Sequence, residues 1–395
     1  MHASKILTQL LSSVMDTMHL GRRRVLLNAV EALLKGRRLS LSDLARSWPG
    51  ATWMQAPQKA LDRLLSNRHL QSELVALRSA MAGWLLRGSR PVVLVDWADL
   101  KGDGRWCVLR AAVPIGGRSL TLLDVIYPVS QQNTPVAQRD FLKTLKRLLG
   151  PSPRLIIVTD AGFRSDGYRD VLSQGWDYIG RLRGNVHVCQ TAASPWLPCQ
   201  QLYLLATRAV KDLGTYTQVK AAPMTTRLVL TRRPGKGRHH LTRLGTPNQG
   251  NVAKKARKGA MEPWLLATSL SADNFKAAQI IQCYAQRMQI EEGFRDMKSN
   301  RYGVAFENSL TRKQARLNVL LMLHTLAQFA AWVMAIKLKT DTQTRGITQQ
   351  LQRRMRCSWL RMGREWLIQK DLPWRLSSII KHFQQCLQNP VQTRL

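Results

Sequence analysis

Several polar side chains of one short segment fall on a single edge of a predicted helix. The segment reads YAQRMQIEEGFRDMK and begins at Tyr284. At about 100° per residue, Arg287, Glu291 and Lys298 lie within about 40° of one another, and Arg295 lies beside them. The adjacent edge of the helix is apolar, so we expect it to dock onto a core. A single carboxylate among cations on an anchored helix predicts a site for an anionic group.

Two other carboxylates follow apolar runs that read as buried strands. Asp96 comes after VVLV, and Asp160 comes after LIIVT. If the two strands are neighbours, their carboxylates lie side by side and Glu291 can complete the group. Three such carboxylates could hold the pair of divalent ions, about 3.5 to 4 Å apart, that catalyse phosphoryl transfer on nucleic acids. The alternative is that each aspartate is a loop or nucleotide-binding residue, as in many α/β proteins.

The other acids nearby are weaker candidates. Three of them are expected to be loop or solvent-facing residues: Asp99, Asp103 and Asp124. Glu292 lies about 80° from Tyr284 on the helix and is therefore off the polar stripe. This position favours Glu291 as the ligand, although the sequence leaves an exchange of the two glutamates open.

The composition points to a polyanionic partner. The chain has 395 residues with 60 Lys+Arg against 24 Asp+Glu, a formal net charge of +36 and a pI of about 11.1, while 45% of its residues are hydrophobic. A chain of this length is expected to form two or three domains. Nucleic acid is the expected partner, because neutralising its phosphates supplies most non-specific affinity. An anionic membrane surface is the rival interpretation.

Three further patterns bear on location and class. The apolar segment 317–336 is interrupted by polar residues, so we expect a core helix instead of a membrane span. The N-terminus lacks the pattern of a secretory signal, so a cytoplasmic location is expected. The six cysteines form no CxxC pair, which argues against a structural zinc site or a disulfide framework. We expect them to be small core residues or inert thiols.

The elements that must position the candidate residues begin with a helical N-terminal region, 1–88. Helices are predicted at 22–34 and 56–65, and LSLSD at 39–43 offers helix N-cap chemistry. Short helices joined by a Trp-Pro-Gly turn resemble a helix-turn-helix DNA-binding motif. A plain helical bundle with solvated lysines fits the same pattern.

The periodicity then changes. The pattern predicts, in chain order, three strands, a helix, a strand, a helix and a strand, at 92–95, 107–113, 120–129, 136–149, 155–159, 166–173 and 178–182. This is the element order of a ribonuclease H-like α/β core, assigned here to 89–183 and, after an interruption, to 262–338. The second part contains a strand at 264–268, the polar-stripe helix, and a long helix at 312–337.

Two regions lie outside this predicted core. Residues 184–261 read as a β-rich basic insertion, with a strand at 227–232 and a mobile basic loop at 232–258. Residues 339–395 read as a helical, cationic C-terminal region whose tryptophans suit packing or dimerisation.

Four residues of the opening segment carry a resemblance to a known family. The spacing of Tyr284, Arg287, Glu291 and Lys298 matches the YREK signature, and the chain resembles bacterial DDE transposases of the insertion-sequence-four family. Other motifs of that family precede the signature in the family's order: VDWADL at 95–100, TDAGFR at 159–164, GRLRG at 180–184 and EPWLLATSL at 262–270. The resemblance covers almost the whole chain and is least distinctive in the N-terminal region and the extreme tail.

The resemblance implies a fold and an activity. The fold is a ribonuclease H-like catalytic core interrupted by a β-strand insertion. The activity is cut-and-paste DNA transposition by nicking, hairpin formation, hairpin opening and strand transfer. Asp96, Asp160 and Glu291 would be catalytic and would bind two Mg²⁺ ions, for which Mn²⁺ can substitute. The implied partners are terminal inverted repeats and target DNA, with a homodimer in the synaptic complex at the bacterial nucleoid.

The resemblance also implies roles in DNA binding. Tyr284, Arg287 and Lys298 would bind phosphates near the cut, and Trp264 would stack on a base extruded at the hairpin. Trp264 can equally be a core anchor at the start of its strand. For the whole chain, the alternatives are a catalytically inactive DNA-binding protein, or a Mg²⁺-dependent structure-specific nuclease that cuts without joining.

Overall fold

The computed structural model divides the chain into two compact units. The first unit comprises Met1–Leu155 with Gln286–Leu395, and the second comprises Ile156–Ala285. The described residues are 2–151, 154–191, 193–233, 261–341 and 357–388, together with 246, 250, 251, 254, 259, 346, 349, 350, 352 and 353. Most of the predicted basic loop at 232–258 and part of the predicted C-terminal region lie outside the described residues.

The first unit opens with helices: α1 (His2–Leu10), α2 (Ser12–Met15), α3 (Leu20–Gly36), α4 (Leu41–Arg46), α5 (Gln55–Leu65) and α6 (Arg68–Leu85). Helices α3 and α5 confirm the two predicted here. Helix α4 begins at the expected cap, where Ser40 Oγ accepts a hydrogen bond from the Asp43 N–H at 3.1 Å. Leucines at helical spacing, such as Leu61 and Leu64 of α5, are buried. A role of these helices in reading DNA stays a prediction.

An antiparallel meander and a helix follow: β1 (Val92–Asp99), β2 (Trp106–Pro114), β3 (Ser119–Pro128) and α7 (Pro135–Leu149), with β2 in the middle of the meander. The predicted strands and helix are confirmed. Gly116 and Gly117 form the turn between β2 and β3 with φ of 88° and 79°, a conformation that favours glycine. Thr134 caps α7 by accepting a hydrogen bond from the Ala137 N–H.

The second unit contains a sheet flanked by two helices: β4 (Ile156–Thr159), α8 (Ser165–Ser173), β5 (Asp177–Arg181), β6 (His187–Cys189), β7 (Leu197–Pro198), β8 (Lys211–Gln218), β9 (Met224–Thr231), β10 (Trp264–Thr268) and α9 (Ala277–Ala285). Its strand order is β4-β5-β10-β9-β8-β6-β7. Strands β4 and β5 are parallel and joined by α8, and the other pairs are antiparallel. Strands β4, β5, β9 and β10 correspond to predicted strands.

The chain then returns to the first unit through α10 (Met288–Lys298), α11 (Gln314–Thr340), α12 (Trp359–Leu367) and α13 (Leu376–Cys386). By length and composition, α11 is the one helix of the described residues that could cross a membrane, a test that core helices also pass. Its most apolar stretch is completely buried in the protein, which confirms the predicted core helix. Helix α11 packs against α3, α12 and α13.

The prediction of one continuous helix from Tyr284 to Lys298 is wrong. Helix α9 ends at Ala285 and α10 begins at Met288. At the start of α10, the N–H groups of Gln289 and Ile290 bond to the carbonyls of Gln286 and Arg287, three residues earlier, at 2.9 and 3.1 Å. These 3-10-type hydrogen bonds interrupt the α-helical pattern, in which each N–H bonds to the carbonyl four residues earlier. The break lies where the chain passes from one unit to the other. The predicted polar stripe is therefore divided between two helices.

A buried ion pair lies between β2 and β3. Arg110 Nε and Nη2 donate to the two carboxylate oxygens of Asp124 at 2.7 and 2.9 Å, and neither side chain is more than 1% exposed. Arg110 faces Asp124 on one side and Asp96 on the other in the strand register, so all three side chains share one face. The expectation that Asp124 faces a loop or solvent is wrong, because a bidentate arginine satisfies its carboxylate inside the protein. Asp99 and Asp103 are exposed, as expected.

Helix α10 packs on this face above the buried pair. The Arg110 guanidinium lies 4.7 Å from the centroid of the Phe294 ring, and its Nη2 lies 3.5 Å from Met297 Sδ. A Cβ on Gly293 would lie 3.1 Å from Ser119 Oγ, so the glycine lets the helix approach β3 closely. These contacts fix the height of α10 over the meander.

All six cysteines are free thiols, and they are buried apart from Cys283, which is half-buried. Burial raises the pKa of the Cys107 and Cys199 thiols to about 11. Thiols of this kind are poor nucleophiles at neutral pH, which agrees with the expectation of inert core cysteines.

His324 is a deeply buried residue of α11. It is 3% exposed, and among the described residues nothing forms a hydrogen bond with its Nε2. Burial, together with the charges of Arg110 and Arg364, lowers the pKa of His324 to about 3. The imidazole is therefore neutral in the folded protein at every pH near neutrality.

The buried pair predicts a large effect of one substitution. Asp124→Ala leaves the Arg110 guanidinium buried without its carboxylate, so we expect the free energy of unfolding to fall by about 3 to 5 kcal/mol in urea denaturation. Asp62→Ala is the matched control, because Asp62 pairs with Arg316 at 2.6 Å but is 60% exposed. Its expected loss is at most about 1 kcal/mol. Equal losses in the two variants would show that the buried pair does not hold this unit together.

The buried histidine predicts a pH dependence of stability. Below pH 6.5 the unfolded chain binds a proton at His324 whereas the folded chain does not, so stability is lost as the pH falls from about 6.5 toward 3. Between pH 7 and pH 5 this group should account for about 2 kcal/mol. We expect His324→Gln to lose stability less steeply than the unaltered chain when urea unfolding is measured at both pH values. Parallel pH profiles of the two proteins would contradict the prediction.

Candidate functional site

Asp96 lies on β1, on the face of the meander that α10 covers. Its side chain is 12% exposed. Oδ1 accepts a hydrogen bond from the Trp97 N–H at 2.9 Å, and Oδ2 accepts one from Arg287 Nη1 at 3.2 Å. One oxygen is thus bound to the strand and the other to a cation from a distant part of the chain.

Arg287 bridges Asp96 to a second carboxylate. It immediately precedes α10, and its Nη2 donates to Glu291 Oε1, in the first turn of that helix, at 2.6 Å. The position suits Glu291, since a carboxylate in the first turn is stabilised by the helix dipole. The guanidinium is only 16% exposed, whereas Glu291 is 40% exposed. The structure therefore brings Asp96 and Glu291 together on one cation while leaving Glu291 accessible to solvent.

Glu292 has different partners. Its carboxylate lies 2.8 Å from Arg295 Nη1 and 3.8 Å from Arg118 Nη1. Arg118 also pairs with Asp296 at 2.7 Å, which ties the β2–β3 turn to α10. Of the two neighbouring glutamates, it is Glu291 that shares a cation with Asp96.

Lys298, the last residue of α10, is half-buried. Burial lowers the pKa of its ammonium, and the carboxylates of Asp99 and Glu307 partly oppose that shift. Lys298 thus has acidic neighbours at the end of β1. A phosphate contact of Lys298 stays a prediction.

Asp160 belongs to the second unit. It follows β4 directly, and its Oδ1 accepts a hydrogen bond from the Gly162 N–H at 2.7 Å, which shapes the loop before α8. The ring of Tyr168 from α8 stacks on Tyr178 of β5 with centroids 4.4 Å apart. Burial and nearby tyrosines raise the pKa of the Tyr168 hydroxyl, with a smaller effect from Asp160. Asp160 therefore lies beside a rigid aromatic layer.

Packing explains why the first residue of the GRLRG motif is a glycine. A Cβ on Gly180 of β5 would overlap the ring and hydroxyl of Tyr168. The arginines of the motif bind within the unit: Arg181 Nη2 donates to the Glu262 carbonyl at 3.1 Å, and Arg183 Nε lies 2.7 Å from the Glu262 carboxylate. The motif thus holds the start of the EPWLLATSL segment next to β5.

Trp264 and Tyr284 contact each other in the second unit. Their rings meet edge to face with centroids 4.9 Å apart, and Tyr284 is 3% exposed. The exposed guanidinium of Arg233 lies 4.6 Å from the centroid of the partly exposed Trp264 ring. Trp264 can therefore accept a planar, electron-poor group on its ring. Stacking on a DNA base, and a phosphate contact of Tyr284, stay predictions.

Sequence reasoning missed the residues that support the site. Arg110 and Asp124 each interrupt an apolar strand, in CVLRAAVP and LTLLDVIYP. Opposite charges at similar distances from the Gly116-Gly117 turn were a signal of a cross-strand pair. The role of Arg118 gave no such signal, since a turn arginine is usually solvated.

The predicted metal site has only partial support. Asp96 and Glu291 supply two adjacent carboxylates, and Asp160 lies in the other unit. Among the described residues, no group of three or more His, Cys, Asp or Glu side chains is placed to hold a metal ion. A site made of all three carboxylates stays a prediction.

Comparisons with known proteins identify one family. Residues 87–329, more than half of the chain, match the family model described as "Transposase DDE domain". A comparison with curated protein sequences finds no significant match. Among solved structures, the chain is similar to the piggyBac transposase in a synaptic complex with hairpin DNA, at 13% identity and a TM-score of 0.41, over 98% of this chain and 82% of that one.

Proposed function

The chain belongs to the family of transposases with a DDE domain, and we propose that it performs cut-and-paste DNA transposition with Asp96, Asp160 and Glu291 as catalytic carboxylates. The YREK spacing supports an assignment to the insertion-sequence-four group. The observation that carries the catalytic proposal is the convergence of Asp96 and Glu291, far apart in the chain, on the guanidinium of Arg287.

A ribonuclease H-like catalytic core is part of the proposal. Its support is the antiparallel meander β1–β3 in the first unit and the parallel β4–α8–β5 arrangement in the second. Strands β6 to β9 would then belong to the inserted region, which separates the elements that carry Asp160 and Glu291 in the chain.

The donor chemistry of the site fits a divalent metal ion. DDE transposases generally use such ions, and carboxylate oxygens are the ligands that Mg²⁺ prefers. Asp96 and Glu291 already share a cation, and Asp160 would complete the set. Two Mg²⁺ ions, or Mn²⁺ in their place, would activate the attacking oxygen and stabilise the leaving oxygen at phosphorus.

Arg287 would change partners when DNA binds. In the free protein it neutralises two neighbouring carboxylates that would otherwise repel each other. A DNA phosphate offers the planar guanidinium two oxygens at once. We expect Arg287 to move to a phosphate near the cut and thereby to release both carboxylates. Lys298 and Tyr284 would assist phosphate binding, as their YREK positions suggest.

DNA is the proposed partner. The net charge of +36 supplies the sequence-independent affinity for phosphates, and the N-terminal helices would recognise the terminal inverted repeats. Joining two ends in one event requires a paired complex, so we propose a homodimer during synapsis. The site of action would be the bacterial nucleoid in the cytoplasm.

The catalytic proposal predicts the effect of four isosteric substitutions. Asp96→Asn, Asp160→Asn and Glu291→Gln should each reduce cleavage of a labelled DNA end by about a thousandfold or more, while binding to that end is largely kept. Glu292→Gln is the matched control, because this neighbour pairs with Arg118 and Arg295 and should leave cleavage within about twofold. The assay uses Mg²⁺, a DNA bearing the element's own terminal repeats, and a target plasmid.

The same assay separates the alternatives. DNA binding without cleavage by the unaltered chain would identify an inactive DNA-binding protein, and cleavage without joining would identify a nuclease. Nicking retained by any one of the three carboxylate variants would remove that residue from the catalytic set.

The stacking proposal for Trp264 has its own test. Trp264→Ala should keep nicking but lower the yield of the hairpin by about tenfold or more, because the extruded base loses its aromatic partner. Trp264→Phe keeps an aromatic face and should retain most of the hairpin, whereas a role as a core anchor would weaken nicking and hairpin formation together. A normal hairpin yield from Trp264→Ala would reject the stacking role.

A further inference from the structure

The first unit contains a cavity of about 240 Å³ that is separate from the carboxylates of the proposed active site. Its walls come from α3, α10, α11 and α12 and from the segment 302–304. Helices α11 and α12 cross in direct backbone contact, because a Cβ on Gly363 would overlap the Ala331 carbonyl. The cavity therefore lies between closely packed helices and is partly open to solvent.

One side of the cavity is strongly cationic. Four arginines and a single carboxylate line it: Arg118, Arg295, Arg361, Arg364 and Asp296. Burial raises the pKa of Asp296, which disfavours the one negative charge, although Arg118 opposes the shift. Glu292, outside the lining, pairs with Arg118 and Arg295. The lining arginines nevertheless outnumber the carboxylates that they share, in a partly desolvated place.

A further carboxylate behind this wall, Glu365, is also shared by several arginines. Glu365 is shared by three guanidinium groups, those of Arg37, Arg361 and Arg364. Within the part of the chain that the structure describes, the buried Nε atoms of Arg361 and Arg364 have no hydrogen-bond partner. Buried donors without a partner are rare in proteins, and an ordered water, an ion or a ligand can satisfy them.

The rest of the lining offers a polar atom and apolar surface. His324 is 3% exposed and lines the cavity, and its Nε2 has no hydrogen-bond partner among the described residues. Leu33, Ala327 and Leu360 supply apolar surface beside it. Its lining therefore suits a ligand with an anionic group at one end and a small apolar body at the other.

We propose that this cavity is a binding site for a small phosphomonoester with an apolar body. A phosphomonoester carries about 1.5 to 2 negative charges at neutral pH, which matches a lining where arginines exceed carboxylates. Its oxygens are suited to the planar fork of arginine, and its ester group can extend along the apolar wall. Because Arg295 and Asp296 belong to α10, the ligand would contact the helix that also carries Glu291. The proposal does not depend on the transposase mechanism.

The test is isothermal titration calorimetry of the full chain with phenyl phosphate at fixed ionic strength. We expect phenyl phosphate to bind at one saturable site. It should bind more tightly than inorganic phosphate, which lacks the apolar body, and more tightly than benzyl alcohol, which lacks the charge. Arg361→Gln should weaken binding by about tenfold or more. Ala327→Leu should fill the apolar end and weaken binding without changing any charge. Arg312→Gln, an exposed position outside the lining, is the matched control and should leave the affinity unchanged.

A second measurement keeps the test decisive if a variant fails to fold. In the unaltered chain, phenyl phosphate should shift the imidazole NMR signals of His324 and leave those of the exposed His19 unchanged. Equal affinity of the folded variants and the Arg312→Gln control would overturn the proposal, because it would indicate general attraction of anions to a basic protein. Unchanged His324 signals at millimolar phenyl phosphate would overturn it as well.

Discussion

The buried pair of Arg110 and Asp124 is the constraint on which the candidate site depends. An arginine and an aspartate at this depth are tolerated only where each satisfies the other, so their strands must keep this register. The guanidinium then offers its flat face to Phe294 and an N–H to Met297 of α10. Helix α10 covers the Arg110–Asp124 pair and excludes water from it, and the same surface is the one on which α10 packs. The packing places the start of α10 beside β1, where Asp96 projects from the same face.

At that position, the ion pairs of Arg287 determine how accessible the carboxylates of Asp96 and Glu291 are. Two carboxylates held close together without a cation would repel each other, and one of them would tend to bind a proton. The bridge made by Arg287 keeps Asp96 and Glu291 together in the free protein and resembles a cation site that is already filled. A guanidinium is held by its own side chain, so it can leave without diffusing away. Under the proposed function, DNA phosphates would compete for it with the same geometry, which would couple DNA binding to release of the carboxylates.

Sequence patterns predicted most elements of both units, because strand alternation and helical periodicity depend on local burial. Two features escaped this reasoning for identifiable reasons. The bulge between Ala111 and Ala112 shifts the β2–β3 register by one residue, and only with that shift does Arg110 face Asp124. The break after Ala285 lies in a segment with helical periodicity on both sides, so no local pattern marks it. Asp96 and Glu291 are candidates from the sequence alone because their residue types and context suit metal-dependent chemistry, and their catalytic role stays a prediction. The arginine that joins them was predicted to bind phosphate, while its contact with both carboxylates depends on tertiary packing.

Only part of the net charge of +36 is available for contacts outside the protein. Several cations are used inside the protein: Arg110 binds Asp124, Arg227 binds Asp212 and the carbonyl of Phe275, and Lys101 donates to carbonyls of the segment 309–311. These side chains cannot bind phosphate without breaking the fold. The salt dependence of DNA affinity reports the phosphates that are neutralised, not the formal charge of the chain. Under the proposed function, the cations available to DNA would therefore be the exposed ones together with those, such as Arg287, whose present partners would be exchanged for a phosphate.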